Sequence, residues 1–370
     1  MVAFALSAIA MYIVVTSAHH HAHWSADHDL SGPQKMHVKA VPRVGGVGIL
    51  AGIVGGTMLA VWLKGVDFTE VLMLVVCMLP AFGSGIWEDF TKAISPRRRM
   101  VALALSGALG VWLLGGSFTH TGWEAFDHLL ISNGLLWLGA VGAIFAVTGI
   151  SNSVNIIDGM NGLASMCAAM MSLSLAYMAW RVGDGLVCCA MLATVGATLG
   201  FVAWNYPRGL VFLGDGGAYL LGFVIAELGI VLTTRHPQVS MLAPLLLVAY
   251  PVFETLFTMY RRRFIQKRSM TQPDASHLHT LIFRRLKRGP HGPVRGNSGT
   301  SPYLWVLNAI AVIPATVWWD NTPALALSLC VFVLAYLDVY WRIVRFRSPR
   351  WMSWGRPADR DDAAVEKGLT

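Results

Sequence analysis

Charge is what this sequence has least of. Only 13% of its 370 residues are Asp, Glu, Lys or Arg, whereas a soluble domain carries roughly a quarter. That scarcity, with 55% hydrophobic residues and a mean hydropathy of +0.56, excludes an ordinary soluble enzyme and points to an all-α polytopic membrane protein. Cysteine is also sparse. Cys77, Cys167, Cys188, Cys189 and Cys330 lie inside apolar runs without metal-ligand spacing, which excludes a disulfide framework and a zinc site and leaves small buried hydrophobes. The first apolar run, Val2 to Ala18, lacks a basic leader and is followed by HHHAH instead of a small-residue cleavage site. It reads as a retained span, and the His cluster as a solvated juxtamembrane tract.

What the sequence has in abundance is long apolar runs. A span needs about 20 mostly apolar residues. About eleven stretches qualify, at 2–18, 44–63, 69–87, 100–119, 134–150, 162–180, 185–204, 210–233, 240–260, 302–319 and 322–341. If the N-terminus faces outward and the chain alternates, 25 of the 28 Lys and Arg fall in inner loops; only Lys64, Arg181 and Arg235 do not. The positive-inside rule then places the C-terminus in the cytoplasm. It also explains the net charge of +8 without nucleic acid. One transmembrane catalytic domain is expected over 1–341, followed by a basic cytoplasmic tail over 342–370. Gly48, Gly52 and Gly56 recur every fourth residue, a spacing that lets another helix approach closely. The adjacent RVGGVG is no dinucleotide fingerprint, because a membrane span follows it and no strand precedes it.

The unusual polar residues all fall at cytoplasmic ends. Acids at membrane depth are costly and mark functional sites by default. The stretch NSVNIIDGMNGLASM sets Asn152, Asn155, Asp158 and Asn161 at three-residue intervals. Steps of three slip by about 60° in a regular α-helix, whereas a tighter turn would stack them on one face. Either way Asn155 and Asp158 are presented together, and their oxygens suit Mg²⁺. A polar turn between two helices is the plain alternative. Asp215, in FLGDGGAYLLGF, opens a span, where it could serve as a helix cap or hold a cation beside a phosphate. Glu88 and Asp89 close a span just before Arg97 to Arg99. His277 and His279 follow Asp274 in a loop holding ten Lys and Arg between Arg261 and Arg295. This loop suits a diphosphate better than zinc, with attraction of anionic lipid as the alternative.

Taken in order, these motifs resemble the polyprenyl-phosphate N-acetylhexosamine-1-phosphate transferases. The resemblance covers roughly residues 30–285: KMHVKAVPRVGGVGI, EDFTK, NIIDGMNGLA, FLGDGGAYLLGF, PVFETLFTMYRRR and the HLH loop. It implies that sugar-1-phosphate passes from a UDP-N-acetylhexosamine to undecaprenyl phosphate, releasing UMP and priming a cell-envelope glycan. By motif position, Asp215 is the principal Mg²⁺ ligand, with Asn155 and Asp158 in the metal and nucleotide site and Mn²⁺ a substitute for Mg²⁺. Glu88 and Asp89 fall near the acceptor phosphate, and His277 and His279 near the donor diphosphate. Asn152, Asn161, Lys92, Arg263, Asp274 and His37 complete the substrate-binding set. Three positions depart from the family pattern. Glu88 replaces the first Asp of an acidic pair, Asn161 replaces a second Asp, and Thr280 replaces a third His. Asn161 therefore cannot act as an anionic ligand or base. The departures resemble the branch that primes O-antigen or exopolysaccharide more than the phospho-N-acetylmuramoyl-pentapeptide transferases.

The implied chemistry is in-line attack at the β-phosphorus. Asp89 positions the acceptor or takes its last proton, and a two-step route through a phosphorylated carboxylate is the alternative. The expected partners are the two substrates and membrane lipid, with a homodimer left open; the expected location is a bacterial inner membrane with the site facing the cytoplasm. A transporter would place acids at the midplane in paired halves, and no internal repeat is visible. A CDP-alcohol phosphotransferase would need closely spaced Asp residues within one segment, and DGMNGLA has one. A scaffold would leave the convergent polar loops unexplained.

Overall fold

The computed structural model describes residues 1–17, 41–120, 127, 132–267, 276–287 and 292–345, with backbone alone at 287 and 292–296. Two predicted site residues, His37 and Asp274, lie outside these, as do the His cluster at 19–23 and the tail from 346. The described residues are helical, without an extended strand. In chain order the helices are α1 (Val2–Thr16), α2 (Gly45–Lys64), α3 (Phe68–Thr91), α4 (Pro96–Leu109), α5 (Trp137–Ile157), α6 (Leu163–Val182) and α7 (Gly185–Asn205). There follow α8 (Gly214–Arg235), α9 (Leu242–Leu247), α10 (Ala249–Tyr260), α11 (Leu278–Lys287), α12 (Gly292–Val317) and α13 (Thr322–Val344).

A helix lies at each of the eleven predicted spans, and among the described residues eight are long and apolar enough to cross a membrane: α2, α3, α5, α6, α7, α8, α12 and α13. The other three differ for local reasons. Helix α1 has 15 residues. Helix α4 passes into a π-turn at Gly110–Leu114. The predicted span 240–260 is broken between α9 and α10 at Val248, with Pro244 and Pro251 on either side; a proline's missing N–H interrupts the helical ladder. Helix α13 runs to Val344, so the predicted domain boundary after 341 falls inside it.

Helix α8 is the axis of the molecule. Every residue from Gly214 to Thr233 is buried, and α2, α3, α4, α5, α6 and α7 all pack on it. A helix apolar all round belongs in an interior. Helices α1, α2 and α7 form one flank, where Gly48, Gly52 and Gly56 meet Met11, Ala3, Ala193 and Ala197. Helix α12 packs against α6, α11 and α13. The α8 axis brings its N-terminus, with Asp215, to the same end of the bundle as the C-termini of α3 and α5.

Candidate active site

The N-terminus of α8 has no capping side chain of its own; its cap position is Leu213. Asp89, from the last turn of α3, supplies the cap. Its Oδ1 accepts the Asp215 N–H at 2.9 Å and its Oδ2 accepts the Gly216 N–H at 2.9 Å. Asp89 is only 6% exposed, so these two charge-assisted bonds, about 1.5–3 kcal/mol each, meet the positive end of the helix dipole in a shielded setting. Such contact requires close backbones. A Cβ on Gly85 would lie 2.5 Å from the Gly216 Cα, and Gly214 adopts φ +76° beside the Asp89 carboxylate.

Two arginines complete this cluster. Arg43, just before α2, reaches Asp215 Oδ1 at 3.2 Å and lies 3.7 Å from Asp89 Oδ1. Arg99, in the first turn of α4, reaches Asp215 Oδ2 at 3.1 Å. Asp215 thus receives a guanidinium on each oxygen and has its backbone pinned by Asp89. Glu88 points to the following loop, accepting the Ile94 N–H through Oε2 at 2.8 Å. Lys92 is exposed at the C-cap of α3 in a left-handed conformation.

The four polar residues spaced by three divide into two groups. Helix α5 stays regular through Ile157, so Asn152 and Asn155 are on an ordinary helical surface. Asn155 donates through Nδ2 to the Tyr219 hydroxyl of α8 at 3.1 Å. Asp158 is the C-cap. Burial pushes its carboxyl up to about 7, with nearby Arg43 pulling down and Asp215 pushing further up. Asp158, Asp215 and Arg43 therefore share one electrostatic neighbourhood. Asn161 is bound elsewhere. Its N–H donates to Asn297 Oδ1, its Nδ2 to the Pro207 carbonyl, and its carbonyl accepts from Ser301. Its contacts lace the α5–α6 turn to α12 and to the loop before α8.

The histidine loop joins the same region. His277 and His279 are buried and stacked, with ring centroids 5.3 Å apart and planes 5° apart. A Cβ on Gly159 would lie 2.5 Å from His279 Nε2, so the loop rests on the turn that carries Asp158. Arg263 is exposed in the π-turn that follows α10. The structure thus gathers Asp89, Asp158, Asp215, Asn155, His277 and His279 at one end of the bundle. Sequence reasoning does not single out Arg43 and Arg99 as site residues: both sit among the basic residues of inner loops, and nothing in RRR distinguishes Arg99. It also gave no role to Tyr219 or Glu254.

Among the described residues no three His, Cys, Asp or Glu side chains form a metal cage. Mg²⁺ does not need one, because it binds through one or two carboxylates plus water and phosphate oxygens. Asp158 and Asp215 fit that pattern. They are hard oxygen donors, and the two carboxylates lie close enough to interact electrostatically. Asp89 does not fit as a ligand, since each of its oxygens already accepts a backbone N–H.

Residues 71–233, from within α3 through α8, match glycosyl transferase family 4. The chain is 25% identical over 350 residues, 93% of its length and 90% of the relative's, to the probable undecaprenyl-phosphate N-acetylglucosaminyl 1-phosphate transferase of Bacillus subtilis (strain 168). It is 30% identical over 224 residues, 59% of its length and 66% of the relative's, to the phospho-N-acetylmuramoyl-pentapeptide-transferase of Streptococcus pneumoniae (strain CGSP14). The matched span holds Asp89, Arg99, Asp158 and Asp215, the acids and one of the two arginines around the α8 N-terminus. This polytopic membrane protein belongs to glycosyl transferase family 4.

Proposed function

We propose that the protein transfers an N-acetylhexosamine 1-phosphate from a UDP-sugar to undecaprenyl phosphate, releasing UMP, at the cytoplasmic face of a bacterial inner membrane. One observation carries this reading: carboxylates from three separate helix ends and two arginines meet at the N-terminus of a helix buried from Gly214 to Thr233. A helix N-terminus flanked by guanidinium groups is a place for phosphate. The full-length likeness to the Bacillus enzyme favours a UDP-N-acetylhexosamine donor. Excess Lys and Arg in alternate loops supports eleven spans, an outward N-terminus and a cytoplasmic C-terminus.

Both substrates are anions, and Mg²⁺ held by Asp158 and Asp215, with Asn155 beside them, would neutralise the donor diphosphate and the charge developing on UMP. The acceptor monoester, with a second pKa near 6, is mostly dianionic at neutral pH, so it attacks without a dedicated base. Asp89 is a positioning residue, holding the α8 terminus and Asp215 in place. Arg43 and Arg99 turn toward phosphate oxygens as substrates enter. The stacked histidines face the donor diphosphate. The polyprenyl tail stays in lipid while its phosphate meets a water-soluble nucleotide, which is why the site belongs at an interface.

The 30% identity to the streptococcal enzyme favours a second reading, a muramoyl-pentapeptide donor. Purified protein incubated with undecaprenyl phosphate, Mg²⁺ and a panel including UDP-N-acetylglucosamine and UDP-N-acetylmuramoyl-pentapeptide separates the two by which donor yields UMP. Folded protein that releases UMP from neither contradicts both.

A further inference from the structure

We infer that Glu254, backed by Tyr336, positions His277 for the donor diphosphate, which makes the C-terminal helix α13 part of the active-site apparatus; the inference rests on the reaction proposed above. Glu254 lies in α10 and is 0% exposed. Its Oε1 is 3.0 Å from His277 Nδ1 and accepts the Leu278 N–H at 3.1 Å; its Oε2 accepts the Tyr336 hydroxyl at 2.6 Å. Thr258 Oγ1 is 3.3 Å from the same Nδ1. All three residues lie outside the span matched to the family, 71–233.

The donor pattern fixes the chemistry. An ionised carboxylate only accepts, so the proton of the His277–Glu254 bond sits on Nδ1, and Nε2 is the nitrogen left to address a ligand. A carboxylate behind an imidazole sets its tautomer and its ring orientation. Burying that charge is costly, and a glutamine of the same shape would serve if packing alone were required. The charge is matched by three donors from α11, the loop before it and α13. From His277 the arrangement continues through the stacked His279 to Gly159, next to Asp158. Tyr336 itself is wedged among Phe253, Phe257 and Phe332, so its hydroxyl is aimed by a packed ring.

The test is a double-mutant cycle on kcat/KM for the UDP-sugar. Glu254→Gln is expected to lose about 10- to 100-fold, Glu254→Asp to recover part of that, and Tyr336→Phe to lose a few-fold with Tm near that of the parent. Glu254→Gln combined with His277→Asn should be no worse than His277→Asn alone. Losses that multiply would reduce Glu254 to a cap on α11 and overturn the inference. Ring ¹⁵N spectra of histidine-labelled protein need no turnover. The signals missing in His277→Asn should move in Glu254→Gln while those of histidines outside the stacked pair stay, and unmoved signals would overturn the contact itself. An inactive parent protein would refute the reaction, and the ¹⁵N readout would still decide the role of Glu254.

Discussion

Asp89 and Asp215 have the same charge and opposite duties. Asp89 spends both oxygens on backbone N–H groups, whereas Asp215 spends its oxygens on arginines that substrate phosphates can draw away. Asp215→Asn is expected to lower UMP release on the order of 10³-fold, because it removes charge from the reacting centre, with little change in Tm. Asp89→Asn leaves one good acceptor for two N–H donors, so it should lower Tm by several degrees as well as turnover. The opposite pattern in paired Tm and rate measurements would exchange their roles. Asp158 titrates in a useful window. Its folded-state pKa is raised from 3.8 to about 7, so its favourable contribution is complete below about pH 4 and lost as pH rises through 7. In chelator-treated protein Tm should therefore fall across that interval, and Asp158→Asn should flatten the profile. The acids were legible in the sequence because an acid beside an apolar run is conspicuous. Arg43 and Arg99 were not, since basic residues at inner loop ends are expected for topology alone and only the fold selects two of them.

At the level of elements, the site depends on how closely α3 and α2 approach the start of α8. A Cβ on Gly85 would meet the Gly216 backbone, and one on Gly46 would crowd Gly217. Backbone cannot yield as a flexible side chain does, so Gly85→Ala should cost about 1–3 kcal/mol and misplace Asp215. Circular dichroism melts and UMP release should fall together, while Gly83→Ala, which faces open space on the same helix, should leave both unchanged. The helices themselves were readable from apolar run length; the structure adds the side-chain caps Asp67, Ser95, Asp184 and Asn321. The break at Val248 was less so, because Pro244 and Pro251 lie within a run that is apolar throughout. The regular α5 also settles what three-residue spacing leaves open. Asn161 leaves the helix and ties loops together, using its Nδ2 donor on the Pro207 carbonyl, a bond that an ionised carboxylate at this position could not make.

At the scale of the whole molecule, the chain wraps one helix, buried from Gly214 to Thr233, with others that meet lipid, and it places Asp89, Asp158 and Asp215 at one end. A separate ion-pair cluster of Arg235 with Glu70 and Asp184 closes the other end of that helix. The proposed orientation rests on charge: cysteines introduced at Lys64 and at Arg263, in a background without the five native cysteines, should be labelled from opposite sides of sealed vesicles. Labelling from the same side would contradict the alternating topology. Which residues meet at the end of the bundle could not be read from linear order, since Asp89 and Asp215 are 126 residues apart. Their meeting depends on α8 threading between α3 and α5. We propose that this meeting point joins two phosphorylated substrates around a divalent ion. The most direct measurement is UMP released by the purified protein from UDP-N-acetylhexosamine and undecaprenyl phosphate, with and without Mg²⁺. Release should need both the lipid phosphate and the metal and should disappear in Asp215→Asn; release unaffected by chelator, or undiminished in that variant, would overturn the proposed reaction.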